Sequence, residues 1–196
     1  MIPTILLDSL MPNRLCRHTI VVLLASIASA APNPGAIASA QKKVNLIQYY
    51  PHLGPRVVSF SSAELVELGV NLLQSEVPGA VTQPQLRLSS GGATATMQVD
   101  FSKLDRIASS PLSWLLRGPH VVVASVEVSS GKGTMRVHPT EIQIGSVSLT
   151  GSALDYAIVN VLLPYYPDAI VDRDFELPPT INRIQVTPTQ ALVYRK

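Results

Sequence analysis

The sequence predicts an α+β fold, a strongly curved antiparallel β-sheet wrapped around two amphipathic helices, and three observations predict it. Short runs alternate with period two, as in Ala93, Ala95, Met97, Val99 and Phe101 against Thr94, Thr96, Gln98 and Asp100, which is how strands with one dry and one wet face read. Two other stretches return apolar residues every three or four positions, the period of a helix. Third, a strand, helix and hairpin pattern occurs twice. Offset by 89 positions, the two copies agree at Val58/Val147, Ser59/Ser148, Leu65/Leu154, Val70/Val159, Asn71/Asn160, Leu73/Leu162, Pro78/Pro167 and Ala80/Ala169. A sheet of many antiparallel strands with only two long helices to cover it must curl around them.

Residues 1–30 are predicted to be a signal peptide. Arg14, Arg17 and His18 precede the apolar run TIVVLLASIASA, and Ala28-Ser29-Ala30 offers the small side chains a signal peptidase accepts, with cleavage near Ala30. Ala38-Ser39-Ala40 is a second such pattern, and Met11 is an alternative start. The expected location is periplasmic or secreted. An uncleaved chain would be membrane-anchored, although about a dozen apolar residues fall short of the roughly 20 that span a bilayer. Cys16, the only cysteine, lies before the apolar run. A cleaved chain therefore has no disulfide framework, thiolate metal site or cysteine nucleophile.

Residues 31–56, rich in Pro, Gly and Ala, read as a tether, and 57–196 as a single domain. VVSF (57–60) is a strand. Ser61 with Glu64 forms a capping box, and Leu65, Leu68, Leu72 and Leu73 predict a helix from Ser62 to about Ser75, ended by Pro78-Gly79. QLRLSSGGATATMQVDF is a hairpin turning at Ser-Gly-Gly. Residues 102–118 read as an irregular helical stretch broken at Pro111. Strands follow near 120–128, 133–138 and 141–149. The last of these changes phase at Gly145-Ser146, where a bulge is expected to keep Ile142, Ile144, Val147 and Leu149 on one face. SALDYAIVNVLL is the second helix, and a final hairpin covers 170–177 and 181–194, turning at Pro178-Pro179.

With a net charge of +2, 14% charged residues and no Lys/Arg run longer than Lys42-Lys43, the chain is not an electrostatic binder of nucleic acid. Neither IGSVS nor TGSAL supplies the G-x-S-x-G elbow of a serine hydrolase. His52, His120 and His138 lack helical metal-ligand spacing. Asp172, Asp174 and Glu176 alternate with apolar residues as the wet side of a strand. Asn71 and Asn160, mid-helix among apolar neighbours, are expected to be buried amides bonded to a backbone edge. No enzyme activity and no cofactor are expected.

Glu64 and Asn71 on the first helix, then GTMRVHPTEIQIGSVSL, a helix, and FELPPTINRIQVTPTQALV give residues 57–194 a pattern that resembles exported bacterial proteins of the YpmS and LmeA type. Those are similar to the tubular lipid-binding superfamily, in which a curved antiparallel sheet wraps a long helix and leaves an apolar groove for acyl chains. The Gly-Phe-Pro phrase of LmeA-type proteins is absent, which argues against lipase-like activity. The resemblance implies a lipid or other hydrophobic ligand as partner, with transient contact at a membrane surface. The inward residues Leu65, Leu68, Leu72, Met97, Val99, Met135, Val137 and Val161 would line the groove. Trp114 and Leu115, in PLSWLLRG, would gate it, since an aromatic with a polar tip suits a lipid interface. The alternative is an envelope scaffold or accessory subunit that docks a protein partner through exposed strand edges.

Overall fold

The structure, a computed structural model, describes residues 34–50, 52–76, 78–103, 118–163 and 171–196. Among these residues it is α+β, with three α-helices and nine strands that pair antiparallel. The expected signal peptide and most of the irregular stretch at 102–118 lie outside the described residues.

Residues 34–49, read from the sequence as part of a tether, form α1 (Pro34–Tyr49). Pro34 sits in the first turn, where its fixed φ suits a helix start, and Ile37, Ala40, Val44 and Ile47 recur at helical spacing. Ala40 is 0% exposed and Ile47 belongs to the main core. β1 (Val57–Ser61) then runs directly into α2 (Ser62–Glu76). The predicted capping box closes that junction: Glu64 N–H donates to Ser61 Oγ at 3.2 Å, and Ser61 N–H donates to Glu64 Oε2 at 2.8 Å.

β2 (Val81–Ser89) and β3 (Gly92–Asp100) form the predicted hairpin, followed by a 3-10 turn at Phe101–Lys103. After β4 (Pro119–Gly131) the chain continues as β5 (Thr134–Ile144), β6 (Val147–Thr150) and α3 (Gly151–Ala157), whose end winds into a π-helical turn at Ile158–Leu162. β7 (Phe175–Glu176), β8 (Ile181–Val186) and β9 (Gln190–Arg195) complete it.

The strands make two sheets. One has the order β2-β3-β4-β5-β6, with β7 on the free part of the β5 edge; the other is β1-β9-β8. They are stitched together where Gly91 N–H donates to Val186 O at 3.0 Å, Gly133 N–H to Asn182 O at 2.7 Å and Ile184 N–H to Ser130 Oγ at 3.0 Å. Next to this seam, within the larger sheet, Gly92 is required because a Cβ there would lie 2.7 Å from Val126 O on β4.

The predicted phase change, between Ile144 and Val147, comes from a turn rather than a bulge, and a bulge occurs earlier in β5. Two apolar sets, Met135, Val137 and Pro139 on odd positions and Ile142 and Ile144 on even ones, belong to a single strand. The pairing passes from Val126↔Pro139 to Ser125↔Glu141, leaving Thr140 as an extra residue. That bulge keeps both sets on one face. Pro139 has no N–H to give the ladder, and Thr140 Oγ1 donates instead to Ser125 O at 3.2 Å. Gly145-Ser146 is no bulge but a tight turn: Gly145 has φ 58°, and Ile144 faces Val147 across the hairpin.

The final hairpin is also corrected. β8 pairs with β9 and turns at Thr187–Thr189, where Thr187 N–H donates to Gln190 O and Gln190 N–H to Thr187 Oγ1; Phe175–Glu176 pairs with β5 instead. The main core gathers Val58, Phe60, Val193 and Ile181 from the smaller sheet, Ile47 from α1, Met135 and Val137 from β5, and Leu177, with Leu65 and Leu68 of α2 packed against it.

Candidate functional site

The residues predicted to line one groove fall into two places. Leu65, Leu68, Met135 and Val137 lie in or against the main core, sealed between α1, α2 and the smaller sheet, and Val137 is only 1% exposed. Met97 and Val99 belong to a separate cluster with Ala95 and Val122, flanked by Val81, Phe101, Ala124, Ile142 and Ile144. Leu72 is buried on α2 but is part of neither cluster. Trp114 and Leu115 lie outside the described residues, as does the side chain of Val161.

The second cluster follows from registry. Met97 faces Val122, Ala95 faces Ala124, and Val122 and Ala124 face Ile144 and Ile142 in turn, so alternation on three neighbouring strands adds up to one aliphatic surface. Every described member comes from the larger sheet except Phe101, whose ring lies 6.1 Å from that of His120 at 54°. No described helix contributes to it. Ala95, Met97, Val99 and Val122 are themselves buried, none more than 9% exposed, so the cluster is an aliphatic layer of the larger sheet with the His120 ring at its margin beside Phe101.

The polar features have other chemistry. On the outer side of β5, Arg136 Nε donates to Asp174 Oδ1 at 2.9 Å, and His138 Nδ1 lies 2.9 Å from Asp172 Oδ1. All four side chains are about half exposed, so the pairs fasten the 172–176 segment along the β5 edge rather than activate anything. A shallow recess of about 250 Å³ beside them is lined by Ser129, Ser130, Thr134, Arg136 and Asp174 together with Met135. Its polar lining offers nothing to an acyl chain. Among the described residues no group of three or more His, Cys, Asp or Glu is disposed to hold a metal ion.

The two asparagines are not buried. Asn71 and Asn160 are exposed, and each donates its side-chain N–H to the carbonyl one turn back, Asn71 to Glu67 O at 2.8 Å and Asn160 to Tyr156 O at 3.0 Å. Such a bond satisfies the amide inside its own helix.

Glu64 and Arg195 are polar groups buried for structural reasons that the sequence reading does not identify. Glu64 accepts from Lys43 Nζ at 2.6 and 2.7 Å and from Ser39 Oγ at 2.6 Å, joining α2 to α1. Burial pushes its carboxyl up, but Lys43, Ser39 and the Ser61 N–H together outweigh that and hold it at about 2. Lys43 also sits 5.6 Å above the Phe60 ring. Arg195 donates Nη1 to Leu53 O at 2.6 Å and to Pro55 O at 3.1 Å, and Nη2 to Tyr50 O.

No protein-family model matches this chain, and neither a curated protein nor a solved structure matches it. The site must therefore be judged on its own chemistry.

Proposed function

We propose that this is an exported, non-enzymatic lipid-binding or lipid-shuttling protein that holds acyl chains against the aliphatic face of its larger sheet. The observation that carries the reading is the Ala95, Met97, Val99 and Val122 cluster, whose described members come from one sheet face and its adjoining turn. A hydrocarbon seated there would gain about 25 cal/mol for each Å² of its own apolar surface removed from water, the four side chains being already buried. The resemblance to tubular lipid-binding proteins points the same way. On this reading the larger sheet curves around its cargo, and the strand and helix unit is duplicated. Two facts support duplication: the β1–α2 and β6–α3 junctions stand 89 positions apart, and Asn71 and Asn160 make the same bond.

Docking through strand edges is the weaker alternative. The β2 edge carries Pro84, which has no N–H, beside Gln83 at φ 49° and a break in register, while the opposite edge, β6, has four residues. Natural sheets blunt their edges in these ways against pairing.

Protein purified from an exporting host is expected to carry bound lipid in native mass spectrometry. Met97→Gln and Val122→Thr should reduce the lipid-bound fraction several-fold while far-UV circular dichroism stays unchanged. A clean unliganded mass for the wild type, with no protection by added phospholipid or fatty acid, would reject the cargo reading in favour of the scaffold. Export has its own test. The mature chain is expected to begin at Ala31, because cleavage after Ala40 would remove Ser39 and half of α1; an intact mass corresponding to Gln41 as first residue contradicts this.

A further inference from the structure

Charge is segregated in this fold. α1, the 50–56 loop, the strands β1, β8 and β9 and the residue after β9 contain no Asp or Glu, yet they carry Lys42, Lys43, Arg56, Arg183, Arg195 and Lys196. Lys43 is engaged by Glu64 and Arg195 by loop carbonyls, which leaves Lys42, Arg56, Arg183 and Lys196 exposed to solvent. The same region holds four of the seven exposed large hydrophobics among the described residues: Tyr49, Tyr50, Leu53 and Val57. Leu53 is 62% exposed.

That exposure is built in. The carbonyls of Tyr50, Leu53 and Pro55 all turn inward to the one Arg195 guanidinium, and Gly54 packs where a Cβ would lie 3.0 Å from Leu46. With its backbone fixed from within, the loop presents Leu53 outward. Lys42 and Tyr49, seven residues apart on α1, share one side of that helix. Val57, Tyr194 and Arg183, whose guanidinium lies 4.0 Å from the centre of the Tyr194 ring, are on the other side of the smaller sheet, away from the core on which Ile47 of α1 packs.

We propose that the face formed by α1 and this loop docks on an anionic lipid surface, with Leu53, Tyr49 and Tyr50 entering the headgroup layer and Lys42 and Arg56 lying against lipid phosphates. Tyrosines with an apolar body and a polar tip settle at that boundary, and cations without competing carboxylates are drawn to it. A preformed loop loses little freedom on docking. The inference does not depend on the cargo reading, since it uses a different surface.

The test is flotation of the full chain with vesicles of equimolar phosphatidylglycerol and phosphatidylcholine, against phosphatidylcholine alone, at low and high salt. Residues 1–33 are common to every variant, so differences report the loop. The wild type is expected to bind the anionic vesicles, less so in high salt. Tyr50→Ser/Leu53→Ser should weaken partitioning at least tenfold, Lys42→Gln/Arg56→Gln should reduce the anionic preference, and melting temperatures should stay within a degree or two. Unchanged flotation of Tyr50→Ser/Leu53→Ser overturns the proposal. So does a wild type that ignores both vesicles, including one that captures an oligonucleotide or self-associates through this face. Loss of flotation in these variants with bound lipid retained in mass spectrometry separates this surface from the Met97 face.

Discussion

Arg195→Met is expected to destabilise the protein by about 3 kcal/mol, since a hydrogen bond to a charged group contributes roughly 1.5–3 kcal/mol and three carbonyls share this guanidinium, offset in part by water reaching an exposed loop. For a chain of this size that corresponds to a fall in melting temperature of roughly 6–12 °C. Methionine keeps the length of the stem, so the change reads the polar fork rather than a cavity. Arg195 is 8% exposed, and its Nε has no partner among the described residues, which tempers the gain but leaves the geometry intact. The three carbonyls follow the C-terminal end of α1, where a helix favours a cation. The bonds span 140 to 145 residues of sequence, tying the last strand to the first helix. Loss of the fork should therefore loosen the loop before it unfolds the domain, and trypsin should cut after Arg56 faster in the variant. Arg195→Lys, keeping the charge but not the fork, should fall between the two. A Met variant within about 0.5 kcal/mol of the wild type in urea denaturation, cut no faster at Arg56, contradicts this account; a difference that small is typical of an unremarkable surface substitution.

Local chemistry made parts of this fold readable in advance. α2 was legible because Ser61, Glu64 and the leucines each specify a helix at the same place, and β2–β3 because the turn and the alternation agree. α1 was obscured by composition: an Ala- and Gly-rich segment reads as a linker, although alanine is the best helix former and Ile37, Ala40, Val44 and Ile47 carry the period. Parity alone could not locate the bulge. An extra residue at Thr140 and a two-residue turn at Gly145-Ser146 shift alternation by the same single step, so one cannot be told from the other without pairing partners. Mid-helix asparagine was ambiguous for a related reason, since its own helix can satisfy it.

The candidate site was harder still. Periodicity identifies Leu65, Leu68, Met97, Val99, Met135 and Val137 as inward-facing, which they are, but it does not say which interior each faces. That is decided by strand order, and β1 finds its partner in β9, from Val57 to Tyr194, a pairing no local signal encodes. The predicted lining divides between the main core and a second buried cluster of the larger sheet, and of the predicted set only Met97 and Val99 belong to the second.

Acid is expected to weaken the α1–α2 clasp through Glu64. Its carboxyl is held at about 2 in the folded chain, against 4.5 for the ordinary group. A depressed folded value stabilises above the unfolded one, so the contribution is complete above pH 5 and fades as pH falls from about 4.5 towards 2. At 1.36 kcal/mol for each pH unit the full effect is about 3 kcal/mol, an order of magnitude suited to a side chain only 6% exposed. Glu64→Gln removes the charge at every pH and leaves Lys43 facing a neutral amide. It should cost a similar amount at pH 7 and much less at pH 3. Asp100, whose carboxyl the Ser102 hydroxyl also holds down, adds to acid sensitivity in both chains and cancels in the difference. Urea denaturation of the two proteins between pH 7 and 3 measures this, and a gap that does not narrow across the window rules out the charge as its cause. Lys43→Met, alone and combined with Glu64→Gln, then separates the ion pair from the capping box: the double variant should lose less than the two single losses together, because each single change breaks the same Lys43–Glu64 pair and leaves one charge unpartnered.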